Sequence, residues 1–253
     1  MRITMLGSGT STGVPVIGCE CAVCTSPDPR NRRTRPSLWL ELPAGHALVD
    51  TPPDLREQAL RFRVSRVDAV LFTHAHADHL FGLDDVRIFN FRQKSPIPCL
   101  GSAATLTRVR AAFAYVWEDG QAGGGKPQLE LRPVDGPFPL LGAEVVPIPV
   151  WHGAMPVFGY RVGRFAYVTD VSRIPDESFD LLAGVEVLVL GALRYRRHPT
   201  HFSVAEALDA AARVGARRTV LTHLAHDVDV GRPEVDLPAG VELGYDGLVL
   251  DVA

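Results

Sequence analysis

Lysine is almost absent from this sequence, because it occurs only at Lys94 and Lys126 while arginine supplies the other basic charges. The 29 acidic residues outnumber the 26 lysines and arginines, which gives a net charge of −3. Nucleic-acid-binding proteins usually display a basic face. The charge balance therefore disfavours nucleic acid as a partner, and the excess of arginine over lysine reflects genome composition as readily as phosphate recognition.

Long apolar runs are also missing. No stretch approaches the ~18 residues of a membrane span, so we expect no membrane partner. The start of the chain, Met1 to Leu6, is too short for a secretory signal and has no small-residue cleavage site. We therefore expect a cytoplasmic protein. Hydrophobic residues at 46% and charged residues at 22% are ordinary values, and 253 residues suffice for a single domain spanning 1–253.

Cysteine is scarce, and three of the four cysteines lie close together at Cys19, Cys21 and Cys24. A disulfide framework is not expected in a cytoplasmic chain of this size. A Cys-x-Cys-x-x-Cys run supplies three ligands of a tetrahedral zinc site. His226 is the candidate for the fourth, because the segment around it holds one histidine more than the site described below requires. We predict a closed structural zinc in the segment 18–26, with three reduced, ion-free thiols as the alternative.

Two polar stretches lack the residues of a phosphate-binding motif. The loop Gly7 to Gly13 consists of small residues but is not followed by Gly-Lys-Ser/Thr, so the P-loop interpretation fails. We expect it to form a tight turn beneath the active site. The stretch Pro27 to Pro36 carries four arginines. We predict a solvated loop there, with phosphate binding as the alternative.

The richest motif is Thr73 to His79, written Thr-His-Ala-His-Ala-Asp-His. It follows the apolar run Val67 to Phe72, which predicts a buried parallel strand, so the motif lies where ligand sites form in α/β sheets. Side chains that leave a strand and enter a helix cannot all converge on one ion. We therefore predict two adjacent ions, one near His74 and His76 and the other near Asp78 and His79. The alternative is a polar loop that caps the next helix.

The apolar pattern elsewhere alternates strands with helices, which indicates an α/β fold. Helices are predicted at 54–63, 80–91, 105–117 and from Ser203 onward, and strands at 2–6, 37–42, 46–50, 97–100, 128–134, 144–150, 157–162, 165–169, 185–190 and 218–222. The glycine-rich stretch 119–126 is the predicted boundary between two αβ halves of the single domain.

Further polar residues end other predicted strands, namely His152, Asp170 and His223. Asp50 also ends a strand. We expect Asp50 to orient a ligating histidine through a hydrogen bond rather than to bind metal itself.

The His-x-His-x-Asp-His pattern is similar to the signature of the metallo-β-lactamase superfamily. This resemblance implies a four-layer αββα sandwich. It also implies two divalent ions, zinc or manganese, that lie close enough to act on one phosphoryl group. The implied ligands are His74, His76 and His152 for one ion, and Asp78, His79 and His223 for the other, with Asp170 bridging them. A complete set of this kind favours the phosphodiesterase branch.

The segment from Arg194 to His201 adds histidines that the ions do not require. We predict that His201 is the general acid that protonates the leaving alkoxide, because an imidazole of near-neutral pKa suits that step. Asp78 is counted with it among the catalytic residues, and His198 and Arg194 are the candidate substrate contacts. The alternative is that both histidines begin a helix and bond to backbone.

The cysteine run, the seven ligands and His-Pro-Thr-His together resemble the phosphodiesterases of the carbon–phosphorus lyase pathway. That family implies a small-molecule phosphodiester substrate, a ribose 1,2-cyclic phosphate that carries a 5-phosphate, and a homodimer. Two alternatives remain open. One is a tRNA 3′-end endonuclease, which needs an arm to grip nucleic acid. The other is a non-hydrolytic metal-binding protein like the pyrroloquinoline quinone pathway member, which also has a Cys-x-Cys-x-x-Cys run.

Overall fold

In the computed structural model, which describes residues 1–118 and 125–252, two seven-stranded sheets pack face to face. The strands are β1 (Arg2–Gly7), β2 (Ser37–Leu42), β3 (Gly45–Val49), β4 (Ala69–Leu71), β5 (Ile97–Gly101), β6 (Leu129–Pro133), β7 (Phe138–Leu140), β8 (Ala143–His152), β9 (Met155–Val162), β10 (Phe165–Val168), β11 (Val187–Gly191), β12 (Arg218–Thr222), β13 (Val241–Leu243) and β14 (Val249–Asp251). The helices are α1 (Leu55–Arg61), α2 (Ala77–Leu80), α3 (Arg87–Gln93), α4 (Ala103–Ala112), α5 (Asp176–Leu181) and α6 (Val204–Val214).

The strand order is β14-β1-β2-β3-β4-β5-β6 in the first sheet and β13-β12-β11-β10-β9-β8-β7 in the second. β4 pairs in parallel with both β3 and β5, as its apolar sequence predicted. In the second sheet β10 to β13 are likewise parallel. The carboxyl ends of these parallel strands define one edge of each sheet, where polar side chains can converge.

Three apolar clusters fill the spaces between layers. The central one joins inward residues of both sheets, such as Leu40 of β2 and Tyr167 of β10. A second packs the outer face of the second sheet against α6, which has Ala207 buried. A third packs the first sheet against helices that include α4, through Leu106. Helices therefore cover both outer faces, and the predicted four-layer αββα sandwich is confirmed.

The predicted helix at 80–91 is broken into three pieces, α2, a 3-10 turn at Leu83–Val86, and α3. Gly82 causes the break. Its N–H bonds to the carbonyl of Thr51 instead of continuing the helix, and a Cβ at this position would lie 2.0 Å from the carbonyl oxygen of Pro52. The predicted helix at 105–117 likewise ends at Ala112, and a 3-10 turn follows.

The glycine-rich stretch, predicted to separate the two halves, falls mostly outside the described residues, which omit 119–124. The strand after it, β6, still pairs with β5 of the first sheet. The chain changes sheet later, between β6 and β7, and returns to the first sheet through β14. None of the helices in the described ranges is long and apolar enough to cross a bilayer.

Candidate metal centre

The predicted ligands, and Asp50 with them, leave strands of both sheets at one edge of the sandwich. They are Asp50 after β3, His74 to His79 after β4, His152 at the end of β8, Asp170 after β10 and His223 after β12. Because these strands bring their ends to the same edge, residues far apart in sequence become neighbours.

Three of these residues adopt the left-handed backbone conformation: Asp50 has φ 63°, Asp170 has φ 50° and His223 has φ 60°. Positive φ is uncommon outside glycine, and each such residue costs on the order of 1–3 kcal/mol. Each turns the chain sharply just after its strand. These conformations lower the stability of the fold, and they direct the three side chains toward a common point. No feature of the sequence predicted them.

The structure brings the predicted ligands into two adjoining groups whose ligand atoms lie within 4.8 Å of one another: His74, His76 and His152 in the first, and Asp78, His79, Asp170 and His223 in the second. Asp170 lies between the groups. Its Oδ1 is 4.0 Å from Nε2 of His74, and its Oδ2 is 3.2 Å from Nε2 of His79. Asp170 therefore lies where one carboxylate could contact ions held by both groups.

The buried nitrogen atoms of this site fit metal ions. Among the described residues, the Nε2 atoms of His74, His79 and His223 are buried and have no hydrogen-bond partner. Buried polar atoms without partners are rare and costly, and a bound ion would remove that cost. The donors are nitrogen and oxygen without thiolate, a set that suits zinc or manganese. The two groups can therefore hold two divalent ions.

Protonation in the ion-free protein follows from burial and charge. Burial alone lowers the pKa of His79, but the carboxylates of Asp170 and Asp50 outweigh it and raise that pKa well above its usual value. Burial lowers the pKa of His74 well below its usual value. At a pH near the usual histidine pKa, His79 is therefore protonated and His74 is neutral in the ion-free protein. Imidazole binds metal only when neutral, so ion binding at His79 releases a proton.

Two hydrogen bonds orient histidines of the site. Nδ1 of His79 donates to Oδ2 of Asp50 at 2.7 Å, the arrangement expected when Asp50 orients a ligating histidine. Nδ1 of His152 donates to the backbone carbonyl of Thr200 at 2.7 Å. Each bond holds a proton on Nδ1 and points Nε2 into the site. The role of the Thr200 carbonyl could not be foreseen from sequence, because any residue type offers one.

His201 lies beside both ligand groups. Its Nδ1 is 3.8 Å from Oδ1 of Asp170, and its ring stacks on His223 with centroids 4.9 Å apart. Burial, helped by the nearby His223, lowers the pKa of His201 to about 3. In the ion-free protein the imidazole is therefore neutral at pH 7, which differs from the near-neutral pKa assumed from the sequence. His198 is adjacent, at a centroid distance of 5.2 Å.

Arg194, the predicted substrate contact, is engaged with its own loop. Its guanidinium donates to the carbonyls of Arg196 and Arg197 at 3.3 and 3.2 Å. In this conformation it braces the loop, and its contact with substrate stays a prediction.

A cleft of about 560 Å³ opens beside His201, lined by Ser172, Arg173, Arg197, His198, Pro199, His201 and Glu206. Arg173 was not singled out in the sequence. Its guanidinium lies 4.9 Å from the centroid of the Trp151 ring. Backbone hydrogen bonds join Trp151 to Arg173. Trp151 directly precedes His152, and Arg173 follows Asp170 by three residues, so the pair is held close to the site.

The three clustered cysteines meet His226 at a second place. Nδ1 of His226 lies 3.2 Å from Sγ of Cys19, 3.5 Å from Sγ of Cys21 and 3.6 Å from Sγ of Cys24. The structure therefore brings the four predicted ligands together, and three thiols with one imidazole fit a closed tetrahedral zinc. Cys99 lies apart from them, fully buried in the core.

Arg33 overturns the prediction that its whole stretch is solvated, because its side chain is 1% exposed. Its guanidinium donates to the carbonyls of Ala225 and Val228, each at 2.9 Å. It thereby fixes the segment that carries His226. The loop Gly7 to Gly13 reaches the same segment, since the carbonyl of Ser8 accepts a bond from the N–H of Leu224.

Comparison with known proteins gives the family. The sequence family described as the beta-lactamase superfamily domain matches residues 46–224 of this chain. A crystal structure described as a new diphosphatase from the PhnP family is 41% identical, covers 100% of this chain and 98% of that chain, and has a TM-score of 0.93.

Three curated relatives carry different names. The octanoyltransferase of Porphyromonas gingivalis is 38% identical over 98% of this chain, but the chain spans 51% of that relative. Coenzyme PQQ synthesis protein B of Methylobacterium radiotolerans is 28% identical, with 100% of both chains covered. A ribonuclease Z of Mycobacterium sp. is 28% identical and covers 97% of this chain and 94% of the relative.

The superfamily model covers more than half of the chain, and the PhnP-family structure matches it from end to end at 41% identity. The expected resemblance is thereby confirmed: the chain belongs to the PhnP family of the metallo-β-lactamase superfamily.

Proposed function

We propose that the chain is a dinuclear metal-dependent phosphodiesterase of small phosphodiesters, with 5-phosphoribosyl 1,2-cyclic phosphate as the first substrate to test. The position of Asp170 between two groups of ligands is the observation that carries the proposal. When two divalent ions, zinc or manganese, are bound, they lower the pKa of a water and stabilise charge on the phosphoryl oxygens.

In this proposal His201 donates the proton to the leaving oxygen. Its ring lies 4.5 Å from His152 and 4.9 Å from His223, measured between centroids. The low pKa of His201 arises from burial and from the neighbouring histidine. A phosphodiester anion bound beside the ring favours the imidazolium and so raises that pKa toward the working range. Asp78 supports the second ion group, with Oδ2 at 3.3 Å from Nε2 of His79.

The cleft beside His201 is our candidate binding site for the part of the substrate that does not react. Arg173 and Arg197 both line it, and His198 is on the same wall. Arg197 also pairs with Glu206 at 2.9 Å, so Arg173 is the better candidate for an anionic group. A small phosphorylated sugar suits such a cleft.

Diphosphate hydrolysis is the second candidate, because the PhnP-family structure at 41% identity is described as a diphosphatase. The same ions and the same bridging carboxylate would serve an anhydride. The difference lies in the leaving group. A departing phosphate is a weaker base than a sugar alkoxide, and it needs less help from His201.

The two alternatives drawn from the sequence correspond to the ribonuclease Z and PQQ synthesis relatives, both at 28% identity. Octanoyl transfer is not carried over, because the chain spans 51% of that relative. A cytoplasmic location stays a prediction from the sequence, and a homodimer stays a prediction from the family resemblance.

Four substrates test the proposal with protein loaded with Zn²⁺ or Mn²⁺: bis(p-nitrophenyl) phosphate, 5-phosphoribosyl 1,2-cyclic phosphate, inorganic diphosphate and a tRNA precursor. We expect turnover of the first two. Preference for diphosphate would establish the second candidate, and preference for the precursor the endonuclease. If the metal-loaded protein hydrolysed none of the four substrates, the non-hydrolytic role would be favoured.

A further inference from the structure

We infer that Thr73 is a positioning residue that connects the carboxylate of Asp50 to His74, so that one buried carboxylate orients a histidine of each ion group. This inference rests on the proposed two-ion site. It concerns how the two halves of that site are held, which the signature of the motif does not state.

The hydrogen bonds around Asp50 carry the argument. Its Oδ1 accepts the N–H of Thr73 at 2.8 Å. Its Oδ2 accepts Nδ1–H of His79 at 2.7 Å and the hydroxyl of Thr73 at 2.8 Å. Both Asp50 and Thr73 are fully or almost fully buried, at 0% and 1% exposure. Water therefore does not substitute for either partner.

The direction of the next bond follows from proton counting. The Thr73 hydroxyl has one proton, and Asp50 receives it, because the two oxygens of Asp50 also accept the Thr73 N–H and the His79 Nδ1–H and so act as acceptors. The contact between the Thr73 oxygen and Nδ1 of His74, at 3.0 Å, must then run from the imidazole to the hydroxyl. His74 is thereby held as the tautomer with its proton on Nδ1. Its Nε2, which is buried without a partner among the described residues, is left free to bind an ion.

Asp50 thus acts on His79 directly and on His74 through Thr73, and these histidines belong to different ion groups. Loss of the Thr73 hydroxyl should affect the group of His74, His76 and His152 alone. Loss of the carboxylate should affect both groups. Mutation of a residue that hydrogen-bonds to a ligating histidine typically lowers metal affinity by about 10–100-fold.

Titration with Mn²⁺ tests this, because manganese prefers nitrogen and oxygen donors over the thiols of the cysteine group. We expect Thr73→Val to weaken one Mn²⁺ site by about 10–100-fold and to leave the other unchanged. Thr73→Ser should restore wild-type binding, and Asp50→Asn should weaken both sites. His76→Ala identifies the affected ion, since the double variant with Thr73→Val should still bind the other ion normally.

Equal weakening of both sites in Thr73→Val, or of neither, would overturn the inference. A wild-type protein that bound no pair of Mn²⁺ ions would instead remove the two-ion proposal itself. If Thr73→Val does not fold, the ¹⁵N shifts of His74 in the ion-free wild type decide the matter. We expect the proton on Nδ1, and a proton on Nε2 would contradict the relay.

Discussion

His223 and His226 lie three residues apart on one segment, yet their rings belong to two different clusters. Nε2 of His223 is 3.3 Å from Oδ1 of Asp170, while Nδ1 of His226 is 3.2 Å from Sγ of Cys19. The carbonyl of Ala225, between them, is held by Arg33. The thiol cluster and the candidate active site therefore share one short segment of backbone.

The thiol cluster gives the first prediction. Wild-type protein should contain about three ions per chain, two in the His/Asp site and one among the thiols. Cys21→Ser should lose one ion and lower the thermal stability, because a structural zinc contributes directly to folding. Elemental analysis and thermal unfolding check this. Cys99→Ser is the control and should keep every ion. A Cys21→Ser protein with a full complement of ions would show that the thiols hold none.

Asp170 gives the second prediction. Asp170→Ala should abolish hydrolysis of every phosphodiester, whether its leaving group is good or poor. The variant lacks the carboxylate that we expect to hold the spacing of the two groups. The measurement is turnover of bis(p-nitrophenyl) phosphate and of the ribose cyclic phosphate at saturating metal. Unchanged activity would remove Asp170 from the site. The control is Asp68→Ala, which removes a carboxylate that pairs with Arg66 at 2.8 Å just before the amino end of β4; this variant should retain both activities.

His201 gives the third prediction, which depends on the leaving group. A sugar alkoxide needs a proton to depart, whereas p-nitrophenolate does not. His201→Ala should bind both ions, lose roughly 10²–10⁴-fold on the ribose cyclic phosphate, and lose much less on bis(p-nitrophenyl) phosphate. Equal losses on both substrates would mean that His201 contacts phosphate or positions metal instead of acting as the acid.

The thiols themselves give the fourth prediction. The N–H of Cys24 donates to Sγ of Cys21 and lowers the pKa of Cys21, whereas burial raises the pKa of Cys24 and of Cys99. The thiolate is the reactive form. After ion removal by a chelator at pH 7, iodoacetamide should label Cys21 first and leave Cys99 untouched until the protein unfolds. Peptide mass analysis measures the order, and early labelling of Cys99 would contradict its burial.

The motif from Thr73 to His79 allowed most of the site to be predicted, because its side chains follow an apolar strand and their spacing is short. His152, Asp170 and His223 were harder, and their grouping came from the family resemblance. The structure adds the distances that place Asp170 between the two groups.

Other features could not be predicted because tertiary contacts decide them. The helix is broken at Gly82 although its apolar period continues through that residue, since the N–H of Gly82 bonds to the carbonyl of Thr51. Arg33 is buried although its neighbours are polar, because its partners are backbone carbonyls of a distant segment. Strands of three residues such as Val249–Asp251 are too short for their alternation to stand out from a loop.

The bond from His152 to the carbonyl of Thr200 has a consequence for changing the substrate preference of this protein. Gly153, at φ 60°, lets the loop approach so closely that a Cβ there would lie 2.8 Å from the Thr200 side chain. The attachment is made by main chain on the loop side. The side chain of Arg197, which lines the cleft, can therefore be exchanged to reshape it while the anchor that aligns His152 is retained. His198 should be kept, because its Nδ1 lies 3.3 Å from the backbone nitrogen and 3.2 Å from the hydroxyl of Thr200.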